Sequence, residues 1–525
     1  MSEKMNFLFI FTDEQRKDHL SCYNDNMVLK TPNIDKIAKE GIKFTNFYCN
    51  NPICMPNRST IYTGQYPSVH GVTTNGRNLP KGTNTFVDLL RTNGYHTASF
   101  GKIHLNYFGA SKKRFDENLK SQEFAYPKYY KKLSKESIYF GLEEFKIVSG
   151  HGILCGHPDF LNWVVSKVNL DENLQLRLGI EPEDTDSDIL RKYAKLMTPK
   201  QNGSFIKLQV WNHDIPEELY STTFVKEHII EYLIKFNEGK VSKENFFLFC
   251  SFGDPHHPFS PPGKYFDMFK PEEIILPSSF YDNHEKSTIL NKRHYSKLVN
   301  TEGTIRGFFP KAKDLTELDA ERVIAASYGM EKMIDDAVGE ILDVLERTGL
   351  SENTIVIYTT DHGDLGGEHK FFFKGPFLYQ GLINIPFIVK IPGGAKNKVC
   401  PSLVSSIDIP ETILELAGLP IPEFMQGKSI LPILRDPDEK INDNILIEMD
   451  DEYINEKTRT LITDEWRITI FREYGELFNL KEDPDELNNL WDDESLKNIK
   501  LELILKLMRK NLGVAESRVK RDCQY

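Results

Sequence analysis

Three short apolar runs in this chain each end in a cluster of acids or histidines: "NFLFIFTDE" from Asn6, "NFFLFCSFGDPHH" from Asn245 and "NTIVIYTTDHGD" from Asn353. An unbroken apolar run with no polar alternation is buried on both faces, the pattern of a strand inside a mainly parallel sheet. In open α/β sheets, sites assemble in the crevice beyond the strand carboxyl ends. The three clusters are therefore expected to meet at one edge of one sheet, although they lie far apart in the chain.

The intervening segments fit that architecture. "TPNIDKIAKEGIKF" starts on Thr-Pro and spaces Ile34, Ile37 and Ile42 for a helix. "TNTFVDLLRTNGYHTASFGK" reads as a helix, a Gly stop and a strand, and "NIPFIVKIPGG" as a further strand. "ERVIAASYGMEKMIDDAVGEILDVLERTGL" is a long amphipathic helix. Strands alternating with helices predict an α/β fold with a mainly parallel sheet. The stretch 110–220 is rich in Lys, Tyr and Glu, with weak periodicity, and reads as an insertion of helices and loops near the substrate side. A polar boundary near 433–444 divides a catalytic domain, 1–435, from a C-terminal α+β subdomain, 436–525. In that subdomain "ILIEMDD", "RTLITDEWRITIFRE" and "ELFNL" read as short antiparallel strands, and "ESLKNIKLELILKLMRKNLG" as an amphipathic helix.

With 525 residues and a net charge of −12, the chain can bury a large core and is a poor general partner for nucleic acid or an anionic membrane. Anion binding would need a local cluster of cations. Seven widely spaced cysteines argue against a disulfide framework and for a reducing compartment. The apolar run Phe7–Phe11 is too short for a signal peptide or a membrane span. Cytoplasmic location is the resulting expectation.

"NNPICMPNRSTIYTG", from Asn50 to Gly64, places Cys54 four residues before Arg58, with Pro56 between them and a Thr-Gly turn beyond. A buried inert thiol needs none of that company. The stretch resembles the sulfatase signature, C-x-P-x-R with a following TG, in which the cysteine is oxidised to formylglycine by a maturation enzyme. Further segments carry the same resemblance in the same order. "FTDE" (Asp13, Glu14) and "TTDHGD" (Asp361, His362) look like the family's two metal-ligand pairs. "GKIH" (Lys102, His104) looks like its lysine–histidine pair, "DPHHPF" maps a histidine onto His256, and Lys374 in "FFFKGP" sits where the family keeps another lysine. The similarity spans nearly the whole chain and is weakest over 110–220. It implies the alkaline-phosphatase-like α/β sandwich: a large mainly parallel sheet flanked by helices, plus a smaller C-terminal domain with an antiparallel sheet and a helix.

The resemblance implies hydrolysis of a small sulfate monoester to an alcohol and inorganic sulfate. Modified Cys54 would be the nucleophile: one hydroxyl of its hydrated aldehyde attacks sulfur, and deprotonating the other expels sulfate. Asp13, Glu14, Asp361 and His362 would hold one divalent cation. Three carboxylates favour Ca²⁺, and the imidazole keeps Mn²⁺ and Mg²⁺ open. Arg58, Lys102 and Lys374 would offset negative charge, enough cations to surround three non-bridging oxygens. His256 would be the acid for the leaving alcohol and His104 the base for sulfate release, with His257 behind His256.

A phosphonate monoester or phosphodiester hydrolase on the same scaffold is the alternative, and a non-catalytic anion binder a third reading, against which the complete set of site residues counts. Sugar, aryl and alkyl sulfates all remain open as substrates, as does the oligomeric state. In "HGILCGHPDFLNW", His151, His157 and Trp163 either wall a sugar site or pack into the core. His70 is structural or near the site. Asn57 stands where Ser or Ala is common in the family, and Glu14 where Asp or Gln is. Gln380 and Asn384 stand where many relatives carry Glu and Arg, and are expected to hydrogen-bond as a neutral pair.

Overall fold

The computed structural model describes residues 4–108, 121–123, 137–200, 208–296, 311–451 and 455–514. Its strands are β1 (Asn6–Thr12), β2 (Ile42–Phe44), β3 (Phe47–Tyr48), β4 (Tyr95–Gly101), β5 (Glu144–Ile147), β6 (Asn245–Ser251), β7 (Thr354–Thr360), β8 (Phe387–Lys390), β9 (Lys398–Cys400) and β10 (Val404–Ser405). They are followed by β11 (Ile445–Asp451), β12 (Glu456–Ile462), β13 (Trp466–Ile470) and β14 (Gly475–Asn479). Eight form one sheet in the order β5-β4-β6-β1-β7-β8-β2-β9. The three apolar runs are its adjacent central strands β6, β1 and β7, paired in parallel, with Phe11 level with Ser251 and Thr359. Only β8 runs antiparallel to its neighbours, β7 and β2.

Strand β1 shows why the runs lack alternation. Phe7, Phe9 and Phe11 enter one hydrophobic core, while Leu8 and Ile10 enter another on the opposite face. All five side chains are inaccessible to solvent, and each is worth about 1.5–3 kcal/mol in burial. The long helix Glu317–Arg347 seals the second core with Ile334, Val338 and Ile341. It begins on a capping box in which Thr316 Oγ1 accepts from the Asp319 amide and Asp319 accepts from the Thr316 amide.

Of the stretch 110–220, residues 110–120, 124–136 and 201–207 lie outside the described residues. Helices Pro158–Leu170, Glu172–Leu178 and Asp186–Leu196 occupy much of the rest, and Glu144–Ile147 adds the edge strand β5 to the main sheet. The C-terminal strands β11 to β14 form an antiparallel sheet covered by the helix Lys497–Val514. That sheet is tied to the segment preceding Cys54: Asn50 and Asn51 donate side-chain amides to Leu446 O (2.9 Å) and Glu448 O (2.6 Å) on β11. The six described cysteines are free thiols. No helix among the described residues is long and apolar enough to cross a membrane.

Candidate active site

Cys54 is the first residue of the helix Cys54–Thr63, every residue of which is buried. Pro56 falls in the first turn, where its missing N–H leaves no bond unmade; the first helical amide bond runs from Asn57 N to Ile53 O, 3.1 Å. Gly64 ends the helix at φ +65°, and a Cβ there would meet Met425 at 2.8 Å. The Thr-Gly turn is thus a tight helix stop. One turn separates Cys54 from Arg58, so both project from the same face.

Arg58 joins two of the strand-end clusters. Its Nη2 donates to Asp13 Oδ2 (2.8 Å) at the end of β1, and its Nε to Asp361 Oδ2 (2.7 Å) beyond β7. Its Nη1 reaches Lys102 O (3.0 Å) and Ser251 Oγ (3.2 Å). Gly101, at φ +113°, lets β4 close on Ser251 so tightly that a Cβ would overlap its carbonyl oxygen. Lys102 follows at once, its ammonium on the Asp13 carboxylate and 2.7 Å from His151 Nε2.

The third cation comes from the loop beyond β7. Lys374 Nζ lies 2.5 Å from Glu14 Oε1, 2.9 Å from His256 Nε2 and 3.1 Å from Cys54 Sγ. On the other side of the sulfur stands His362 Nε2, at 3.2 Å. The His362 Nδ1 bonds Gly363 O at 2.8 Å, which directs Nε2 inward. His256 is oriented in the same way, through Nδ1 to His257 O (2.5 Å), and the His151 ring stacks on it at 3.5 Å between centroids.

The donor atoms fall into overlapping groups. Asp13, Cys54, Asp361 and His362 bring one atom each within 4.8 Å of one another, a set of two carboxylates, one imidazole nitrogen and one sulfur that can hold a divalent cation. The Glu14 carboxylate stands instead with His256 and His257, its Oε2 3.1 Å from His257 Nδ1. The backbone keeps Glu14 beside the first group, through its N–H to Asp361 Oδ1 (3.3 Å).

Asp13 and Glu14 stay ionised although they are buried. Burial alone would raise the Asp13 carboxyl, but Lys102 and Arg58 hold it well below the usual range. Burial likewise opposes ionisation of Glu14, yet Lys374 and His257 bring it down to about 2. The Cys54 thiol goes the other way: burial, reinforced by Asp13, pushes it up to about 12. Burial and nearby cations push His256 and His104 well below the normal imidazole range, so both rings are neutral at pH 7. His104 sits at φ +59°, and its Nδ1 has no hydrogen-bond partner among the described residues.

Other expectations fall elsewhere. His70 is structural: its Nδ1 accepts from Val72 N and its Nε2 lies 3.1 Å from Thr60 Oγ1. Trp163 packs on Phe160 and Phe224 and donates to Glu227 (3.1 Å); His157 caps the helix Pro158–Leu170. Of the suggested sugar wall, His151 alone is placed beside the reacting groups. Asn57 bonds Asp361 O (2.5 Å) and Ser406 Oγ (3.1 Å), bracing the helix against the β7 loop. Asn384 Nδ2 donates to Gln380 Oε1 (3.3 Å), the expected neutral pair. Ser251 gave no signal in the sequence, because it reads as the last residue of a buried strand.

A family profile described as Sulfatase matches residues 5–419, and one described as N-sulphoglucosamine sulphohydrolase, C-terminal, matches residues 367–512. An arylsulfatase of Clostridium perfringens is 27% identical, the alignment covering 97% of this chain and 94% of that protein. A structure solved with its substrate D-glucosamine-2-N,6-O-disulfate superposes at a TM-score of 0.72, with 20% identity, over 99% of this chain and 100% of the other. The phosphonate monoester hydrolase of Agrobacterium radiobacter superposes at 0.75, with 23% identity, over 97% and 96% of the two chains.

Proposed function

The chain belongs to the sulfatase family and is a sulfuric ester hydrolase with the alkaline-phosphatase-like fold, and from that premise we propose that it cleaves sulfate monoesters of sugars, with Cys54 matured to formylglycine and one divalent cation bound beside it. The observation that carries the proposal is the convergence of Lys374, Arg58 and Lys102 with the Asp13 and Asp361 carboxylates and His362 around the side chain of residue 54. A neutral thiol held at about 12 is a poor nucleophile at pH 7, which fits a residue that acts only after oxidation.

Asp13, Asp361 and His362 present donors for the cation, and Glu14 completes the expected set from the Lys374 side. Ca²⁺ suits the carboxylates, with Mn²⁺ and Mg²⁺ open through His362. When present, the cation polarises a sulfate oxygen and the matured residue 54 supplies an aldehyde-hydrate hydroxyl. Arg58 orients Asp13 and Asp361 with a two-sided grip. Lys102 and Lys374 face the oxygens that gain charge as the ester bond breaks. The proton for the leaving oxygen is held on the Lys374–His256 pair, where the ammonium donates into Nε2. His104, neutral and with Nδ1 unengaged, takes the proton whose loss releases sulfate.

A sugar sulfate is favoured over an aryl or alkyl ester by the disulfated glucosamine bound in the structural neighbour of nearly equal length. Sulfate release from 6-O-, 2-O- and N-sulfated glucosamines, set against 4-nitrophenyl sulfate and a phenylphosphonate monoester, tests the reading. Faster cleavage of the phosphonate than of every sulfate would move the chain to the alternative class.

A further inference from the structure

Glu123 is a buried carboxylate outside the groups described above. Its Oε1 accepts from Leu105 N (2.9 Å), Asn106 N (2.8 Å) and the Tyr139 hydroxyl (2.8 Å), and its Oε2 accepts from the His104 amide. Three successive backbone N–H groups, all in the loop after β4, therefore close on one side chain. Tyr139 in turn accepts from Asn106 Nδ2 at 2.6 Å. The segment carrying Glu123 is anchored from the opposite side as well: Ser149 Oγ donates to Glu123 O (2.6 Å), and His157 Nε2 lies 3.0 Å from Gln122 O. Ser149 is two residues before His151.

The loop so gripped is the one that carries Lys102 and His104. His104 adopts a left-handed backbone, which residues with a Cβ rarely take and which holds only where surrounding structure enforces it. Burial pushes the Glu123 carboxyl up to about 7, with the amide donors and Tyr139 working against that rise. In the ionised form, which dominates above about pH 7, the amide bonds to this carboxylate are roughly twice as strong as neutral ones. A carboxylate taken out of water to collect three consecutive amides does more than fill space, because an apolar side chain would fill it at lower desolvation cost.

We propose that Glu123 is a positioning residue for the reaction: it enforces the left-handed turn at His104 and thereby aims the imidazole whose Nδ1 is unengaged. The inference rests on the reading of His104 as the base for sulfate release.

Glu123→Gln keeps the size of the side chain but turns an NH₂ group toward an amide donor. The test uses matured, metal-loaded enzyme with 4-nitrophenyl sulfate, whose good leaving group needs no acid, so that sulfate release limits kcat. Glu123→Gln is expected to lower kcat about tenfold or more with KM within about threefold. In a His104→Ala background it is expected to cost nothing further. Glu123→Gln within about twofold of wild type overturns the proposal, as do losses that multiply in the double variant. His104→Ala with wild-type kcat fails the underlying reading instead, whatever Glu123→Gln does. Should Glu123→Gln not fold, Tyr139→Phe leaves the carboxylate and removes one donor: a fall of about threefold, absent in the His104→Ala background, supports the proposal, and a fall that persists there overturns it.

Discussion

Lys374 Nζ stands 3.1 Å from Cys54 Sγ, and the same ammonium is 2.5 Å from Glu14 Oε1. The two residues approach from opposite ends of the catalytic sheet's sequence, one on a helix before β4 and one on a loop after β7. The ammonium is thus directed at the one side-chain atom of residue 54 that could carry charge. Burial lowers an isolated lysine, but Cys54 and Glu14 keep this one raised well above its ordinary value, so it remains a cation through the neutral range.

Protein produced alongside a formylglycine-generating enzyme should carry an aldehyde at position 54. An aminooxy probe should label the wild type and not Cys54→Ala, and activity should track the labelled fraction. Full turnover by unlabelled thiol protein would remove the proposed nucleophile.

Asp361 serves both Arg58 and the donor group around Cys54. Asp361→Asn should reduce bound divalent metal, measured by elemental analysis, from one per chain to well below half, and lower kcat/KM by about a thousandfold while circular dichroism stays unchanged. Retained stoichiometric metal would place the cation elsewhere.

In the proposed reaction Lys102 supplies positive charge beside the ester oxygens. With the same leaving alcohol, Lys102→Ala should reduce kcat/KM for a sulfate monoester by roughly 10²-fold or more. For a phosphodiester, which exposes only two non-bridging oxygens, the loss should be smaller. Equal losses on both substrates would remove the basis for preferring the monoester.

Packed against the helix that carries Cys54, His70 supplies a pH dependence of stability. Burial brings its pKa from 6.5 down to about 3, and its Nδ1 is occupied by the Val72 amide. The unfolded chain therefore binds a proton that the folded chain refuses. Stability is lost as pH falls from about 6.5 toward 3, by about 1.4 kcal/mol per unit from this residue. Urea unfolding between pH 6 and 4.5 should show a shallower slope in His70→Gln by that amount, and parallel slopes would show that His70 is not the group responsible.

Much of the fold was legible because the three apolar runs were each long enough to exclude alternation, and their strand-end acids marked one edge of a sheet. The spacing from Cys54 to Arg58 foretold a shared helix face. What the sequence could not convey was direction. Glu14 follows Asp13 directly, yet a positive φ of 62° turns its carboxylate toward Lys374 and His257. The strand β5 is only four residues and sits in a weakly patterned stretch. Trp163 and His151 come from one segment, but the first belongs to a helix face and the second to a loop at the sheet edge. Glu123 follows the loop residues it grips by 17 to 19 positions, with no spacing rule to connect them.

The burial of Cys54, 1% exposed, sets an order of events as well as a geometry. Its surroundings are built from residues 361–374, and the segment just before it is latched to Leu446 and Glu448 on β11. These are among the later parts of the chain to be synthesised. An enzyme that must grip residues 54–58 can do so only before those parts arrive, while the stretch is still extended and open to solvent. The oxidation we propose therefore has a window that opens as the stretch leaves the ribosome and shuts when the chain folds. A molecule that folds unmodified encloses its thiol and stays outside the reach of later correction.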